Sequence, residues 1–226
     1  MKLFVHQLSI KRDSFMATTY KLADYNFKRS PMFILLLGLL LFLGVHSVRI
    51  IADEWRERTI SRIGIGLWKG LYSLVSLGGF VLIVWGFWLA RQNTLVLWVS
   101  PLGMRHITAL LTLIAFVLLA AAYVPRNSIK SWLHHPMLIS VVVWAFAHLL
   151  ANGTLADVLL FGSFLLWAIF DFYAARLRDQ RMSTVYASGT TAGTLITILV
   201  GTIGWALFAF WLHRVLFGMA PLGVGF

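Results

Sequence analysis

A series of long apolar segments, separated by short basic connectors, is the feature that most limits how this chain can fold. The segments are Phe33 to about Ile51, Gly70 to Ala90, His106 to Val124, Met137 to Ala151, Leu155 to Tyr173 and Thr191 to Leu212. A soluble domain cannot bury 226 residues of which 60% are hydrophobic and only 12% charged. The pattern therefore predicts an all-α, polytopic membrane helix bundle with about six transmembrane helices.

The formal net charge of +11 is spread over the connectors instead of forming one basic domain. This distribution indicates topology determinants beside a lipid bilayer, and it argues against nucleic acid as a partner. With six spans, the first, third and fifth connectors share one face, which we expect to be cytoplasmic. Their basic residues are Arg49, Arg56, Arg58, Arg62, Lys69, Arg126, Lys130, Arg176, Arg178 and Arg181.

Residues 1–31 differ from the rest of the chain, because they are polar and basic and contain no apolar core of a signal peptide. Two interpretations stay open: a disordered basic tail, or a misplaced start with translation beginning naturally at Met32. If the tail is real, its six basic residues lie on the opposite face and nearly cancel the difference in basic residues between the two faces. Because the positive-inside rule requires such a difference, this modestly favours a start at Met32. The transmembrane domain is then residues 32–226.

The fourth segment carries an unexpected polar stripe. Ser140, Trp144, His148 and Asn152 recur every fourth residue, between a helix start at Pro136 and a stop at Gly153. His148 lies deepest, with an aromatic ring and an amide one turn to either side, as a flat conjugated ligand would require. The alternative is a buried histidine hydrogen-bonded to the carbonyl of a facing helix.

His46 lies near the end of the first segment, and Arg49 follows three residues later on the same helix face. It is either a ligand or an interfacial histidine bonded to a lipid headgroup or a neighbouring helix. His135 begins the same helix as His148 and is a second candidate. The histidines at the other boundaries, His106, His134 and His213, are better explained as interfacial.

The chain contains no cysteine, no zinc-binding histidine motif and no phosphate-binding loop. Histidines on separate apolar helices suit a b-type haem, with Arg49, Lys69 or Arg126 facing its propionates. Depth is the objection, since His46 and His148 should differ by about 9 Å along the membrane normal. Pairing His46 with His135 reduces this offset but leaves the polar stripe unused.

Several small residues predict close helix packing: Gly38, Gly78, Gly79, and the series Gly193, Thr197 and Gly201. Asp157 is explained by its place in the first turn of the fifth helix.

Taken together, several motifs resemble the NnrU family from Met32 to the C-terminus. They are Gly44–Ile50 (GVHSVRI), Lys69–Ser76, Arg105-His106, His135–Leu138, Trp144–Gly153 (WAFAHLLANG), Leu160–Phe164 and His213–Gly218. The resemblance implies a bacterial inner-membrane protein, linked in some members to nitric-oxide and nitrite metabolism during denitrification.

The resemblance extends to a distant relative, the plant zeta-carotene isomerase, which implies a cofactor and its ligands. It holds haem b, its ligand histidines would fall on His46 and His148, and a further cysteine ligand would fall near Ala145, which cannot bind iron. Three functions follow as alternatives: a haem-b protein of nitrogen-oxide metabolism, a haem-dependent cis–trans isomerase of a carotenoid-like polyene, and a non-enzymatic assembly or interaction factor. Cofactor contacts are expected from His46, Arg49, His135, Trp144, His148 and Asn152.

Overall fold

A computed structural model describes residues 31–222, and it is helical throughout apart from the connectors. Its helices are α1 (Pro31–Ile51), α2 (Asp53–Ile63), α3 (Ile65–Ala90), α4 (Met104–Tyr123), α5 (Ser128–Leu133), α6 (Pro136–Ala151), α7 (Leu155–Met182), α8 (Thr191–Leu207) and α9 (His213–Phe217). A 3-10 turn (Arg91–Asn93) extends α3, and a π-helical turn (Phe208–Leu212) joins α8 to α9. Residues 1–30 of the predicted N-terminal tail lie outside the described residues, and Pro31 is the first residue of α1.

The six predicted apolar helices are confirmed. Five are long and apolar enough to cross a membrane: Pro31–Ile51, Ile65–Asn93, Met104–Tyr123, Leu155–Met182 and Thr191–Phe217. The sixth, α6, has 16 residues and is short for a bilayer. Many large apolar side chains point outward from these helices, among them Leu40, Trp88 and Phe170, as a lipid-facing surface requires.

Several predicted boundaries were wrong because charged residues continue the helices. The connector after α1 contains a helix of its own, α2, and α3 begins at Ile65 instead of Gly70. The helix α7 runs nine residues beyond Tyr173, so the cationic residues Arg176, Arg178 and Arg181 lie on a helix and not in a loop. Arginine is a good helix former, and polar residues can extend a helix past the lipid boundary into water.

The helix starts follow the local sequence. Pro136 occupies the first turn of α6. Thr154 and Asp157 form a reciprocal capping box at the start of α7, which confirms the helix-start role predicted for Asp157. Asn127, 1% exposed, caps α5 by accepting a hydrogen bond from the Lys130 backbone N–H.

The connectors alternate between the two ends of the bundle. At one end the second connector, between α3 and α4, meets the fourth, between α6 and α7. There Val96 pairs with Thr154, and the Leu97 N–H donates to the Gly153 carbonyl at 2.7 Å. At the other end the third connector meets the fifth, where Asn127 pairs with Thr190. The C-terminal part of α1 borders the same cavity as the third connector, through Arg49 and Lys130. This alternation is the one required by six consecutive spans.

Glycines bring two pairs of helices into backbone contact. A Cβ added at Gly38 or Gly79 would lie 2.6 Å from the Ile83 nitrogen or 2.7 Å from the Phe42 nitrogen, so α1 and α3 touch there. Gly193, Thr197 and Gly201 are buried and seat α8 against α4 and the turn that follows it, as predicted. The prediction for Gly78 was wrong, because nothing lies within 4 Å of a Cβ added at that position.

Candidate functional site

His148 lies in an aromatic setting between α6 and α7. Its ring stacks on Phe161 with centroids 4.6 Å apart and packs against Trp144 at 5.1 Å. The Nδ1 atom lies 2.8 Å from the Trp144 carbonyl oxygen, one turn earlier in the same helix. A carbonyl can only accept, so Nδ1 carries the proton and Nε2 keeps its lone pair. The predicted alternative, a bond to a facing helix, is therefore not the bond that this histidine makes.

His46 repeats this arrangement on α1. Its Nδ1 atom lies 2.6 Å from the Phe42 carbonyl oxygen, again one turn earlier, and its ring stacks on Phe42 at 4.3 Å. The edge contacts come from Tyr72 of α3 at 5.2 Å and Trp167 of α7 at 6.0 Å. The buried Trp167 Nε1 atom has no hydrogen-bond partner within the described residues. An unpaired buried donor beside a histidine is a place where a polar group of a ligand would be favourable.

Aromatic rings connect the two histidines. Phe164 of α7 packs against Phe42 at 5.8 Å and against Trp144 at 5.7 Å, and therefore lies between the surroundings of His46 and those of His148. On α7, the ring beside His148 is Phe161 and the ring beside His46 is Trp167. Six helical residues rise about 9 Å. The two histidines thus contact α7 at positions six residues apart, with His46 nearer the C-terminal end of that helix.

Most side chains of the polar stripe of α6 form hydrogen bonds or packing contacts within the protein. The Ser140 hydroxyl donates to the Ala115 carbonyl of α4 at 2.7 Å, and the Asn152 amide donates to the His148 carbonyl at 2.9 Å. Trp144 packs on α7. Ser140 therefore holds two helices together, while Asn152 occupies the end of α6, one turn beyond His148.

His135 belongs to a separate network at the other end of α6. Its Nε2 atom lies 2.8 Å from Asp179 Oδ2, to which the Tyr186 hydroxyl also donates at 2.9 Å. Burial and this carboxylate raise the pKa of Tyr186 to about 12, so the phenol keeps its proton. Tyr186 also stacks on His134, and Arg176 donates to the His134 ring. Sequence reasoning missed Asp179, Tyr186 and Arg176 as partners of these histidines.

Haem ligation can be tested against these donors. A ligating histidine normally gives its second ring N–H to a carbonyl or carboxylate, which fixes the tautomer, and both His46 and His148 do so. Each has an aromatic wall suited to a flat macrocycle. Phe164 packs against neighbours of both histidines, so a haem held by both rings would lie beside this side chain. The donor chemistry therefore fits haem b at each histidine.

The comparisons with known proteins agree with this architecture. The family model described as NnrU protein matches residues 34–221, which is most of the chain. The chain belongs to the NnrU family. The match contains α1 through α9 almost completely and both candidate histidines, and it begins after the basic N-terminal segment. No curated protein and no solved structure matches this NnrU chain.

Proposed function

We propose that this NnrU-family protein is an integral protein of the bacterial inner membrane that binds haem b through His46 and His148 and serves nitrogen-oxide metabolism. The observation that carries the proposal is the matched pair of Nδ1 bonds, which leaves an Nε2 lone pair on each ring. Family membership supports the metabolic context, since some members are linked to denitrification. Bound haem b would supply an iron centre that exchanges one electron and binds small ligands such as nitric oxide.

The residues of the chain would hold the macrocycle by apolar and aromatic contact. Phe161 and Trp144 flank His148, whereas Phe42 and Tyr72 flank His46. Arg49, one turn beyond His46, is the cation closest in sequence that could face a propionate. His135 is a weaker ligand candidate here, since its Nε2 atom already pairs with Asp179.

The test is the visible spectrum of purified, haem-supplied protein. His46→Ala and His148→Ala should each remove or strongly reduce the Soret band. His106→Ala is the matched control, because this exposed histidine lies in the first turn of α4 and should leave the band unchanged. A band of unchanged position and intensity in both His46→Ala and His148→Ala would refute the ligand assignment. If the wild-type protein shows no band, the non-enzymatic assembly or interaction role with a pathway protein becomes the better proposal.

A second candidate is a haem-dependent cis–trans isomerase of a carotenoid-like polyene. It is favoured by an apolar groove of 690 Å³ between α1 and α7, whose lining includes Leu40, Ser163 and Trp167. Because Trp167 also contacts His46, a polyene in this groove would lie one ring away from that histidine.

This candidate makes a separate prediction. Ser163→Trp would fill the groove and should abolish isomerisation of an added cis-polyene, as followed by chromatography. Leu166→Trp adds the same ring at an exposed site of α7 outside the groove lining and should have little effect. Absence of isomerisation by haem-loaded wild-type protein would exclude this activity for the polyene supplied.

A further inference from the structure

A second cavity, of 480 Å³, lies at the end of the bundle where the third and fifth connectors meet. We call it the basic pocket. Its charged lining comes from three helices: Arg49 on α1, Lys130 on α5, and Arg178, Asp171 and Asp179 on α7. Cations on separate helices that converge on one cavity can surround an anion from several sides. The two candidate haem-binding histidines do not line this pocket.

Both carboxylates of the pocket already have partners. Asp171 pairs with Arg178 at 3.4 Å, and Asp179 pairs with His135 at 2.8 Å and accepts from Tyr186. The two negative charges of the pocket are therefore paired with residues of α7 and its immediate neighbours, and not with the remaining cations.

The other two cations have no carboxylate partner within the described residues. Lys130 donates to the Ala122 carbonyl at 2.9 Å, which leaves two of its three N–H groups unused. Arg49 is exposed and has no hydrogen bond or ion pair in the part of the chain that the structure describes. Two cations that line one cavity repel each other, and a bound anion would relieve that repulsion.

The rest of the lining is apolar and includes Met137, Leu138 and Met182. A small soluble anion would gain nothing from these side chains. A molecule with a phosphate group and an acyl chain would use both parts of the lining, and the ends of membrane-spanning helices are where phospholipid headgroups lie. Basic pockets between such helices are known to bind anionic headgroups.

We propose that the basic pocket binds the phosphate of an anionic phospholipid, with Arg49 and Lys130 as its charged contacts. The lipid bridges the C-terminal end of α1 and the helix α5, because its phosphate faces one cation from each. This proposal does not depend on haem, since it uses neither His46 nor His148 and concerns a different cavity. Arg49 is the one residue that both proposals name.

The experiment is native mass spectrometry of the full chain with phosphatidylglycerol or phosphatidylcholine added to the detergent. Wild-type protein should retain phosphatidylglycerol preferentially. Each surface-proximal cation contributes roughly fivefold to anionic-lipid affinity, so Arg49→Gln with Lys130→Gln should lower phosphatidylglycerol binding about 30-fold and leave phosphatidylcholine binding unchanged. Arg49→Lys with Lys130→Arg keeps both charges and should restore most of the preference, which separates charge loss from misfolding.

The matched control is Arg62→Gln with Arg181→Gln, which removes two exposed cations that do not line the pocket. The proposal is overturned if this control loses as much binding as the pocket variant, since the effect would then be general surface charge. Displacement of the lipid by equimolar inorganic phosphate would also overturn it in favour of a soluble anion. His46→Ala and His148→Ala should keep the lipid preference, so a failed haem assignment cannot be mistaken for a failed lipid site.

Discussion

The adjacent residues Gly78 and Gly79 provide a sharp test of how α1 is held against α3. A Cβ at position 79 would lie 2.7 Å from the Phe42 nitrogen, 3.0 Å from its Cα and 3.1 Å from its Cβ, and two of these three atoms are backbone. A Cβ at position 78 would meet nothing within 4 Å. Replacing either glycine by alanine is thus the same chemical change. Only the replacement at position 79 produces a steric clash with α1.

The expected effects of the two substitutions on stability are opposite. Gly78→Ala should stabilise the protein by about 0.5–1 kcal/mol, because alanine loses less backbone entropy than glycine on forming a helix. Gly79→Ala has the same gain, but it also forces α1 away from α3, and such overpacking costs about 1–3 kcal/mol. The two variants should therefore differ by about 1–3 kcal/mol. At roughly 2–4 °C per kcal/mol for a chain of this size, several degrees should separate their unfolding midpoints.

Thermal unfolding in one fixed detergent, with both variants heated at the same rate, measures this difference. The site offers a second readout, because the residue displaced by Gly79→Ala is Phe42, whose carbonyl accepts the proton of His46. If haem is bound as proposed, Gly79→Ala should alter the Soret band and Gly78→Ala should not. Equal midpoints for the two variants would refute the close approach of α1 and α3 at this position.

Three further predictions test the rest of the scaffold. Asn127→Ala should destabilise the protein by about 2–3 kcal/mol in denaturant or thermal unfolding, because the buried amide donates to the Ala121 and Val124 carbonyls and also caps α5. Ser140→Ala should cost about 0.5–1.5 kcal/mol in the same assay by removing the bond between α6 and the Ala115 carbonyl of α4, whereas Ser73→Ala, exposed on α3, should be neutral. Stability should fall as the pH rises from 10 towards about 12, because the unfolded Tyr186 loses its proton before the folded one, and Tyr186→Phe should remove that part of the pH dependence.

The amino-acid sequence predicted what depends on local pattern. Apolar segment length located the six helices, and the residues around Pro136 and Thr154 located two helix starts within one residue. The four-residue spacing of Gly193, Thr197 and Gly201 identified a packing face correctly. Each of these features is determined by residues within a few positions of one another, where helix geometry leaves little freedom.

What could not be predicted depends on how distant segments meet. Asp179 and Tyr186 reach His135 from 44 and 51 residues away, and no periodicity within one helix signals that contact. The wrong prediction for Gly78 has the same origin. Gly78 and Gly79 are equivalent in sequence terms, and only the direction from which α1 approaches α3 distinguishes them.

Phe164 lies between the surroundings of the two candidate histidines. Each histidine has the tautomer and the aromatic neighbours that would let it hold haem, and Phe164 contacts neighbours of both. A haem held by both residues would therefore lie beside this side chain. If the ring had to turn away, it would lose its contacts with Phe42 and Trp144, and the bonds from the two histidines would have to offset that loss. The packing of the core beside α7 is therefore part of the ligand question.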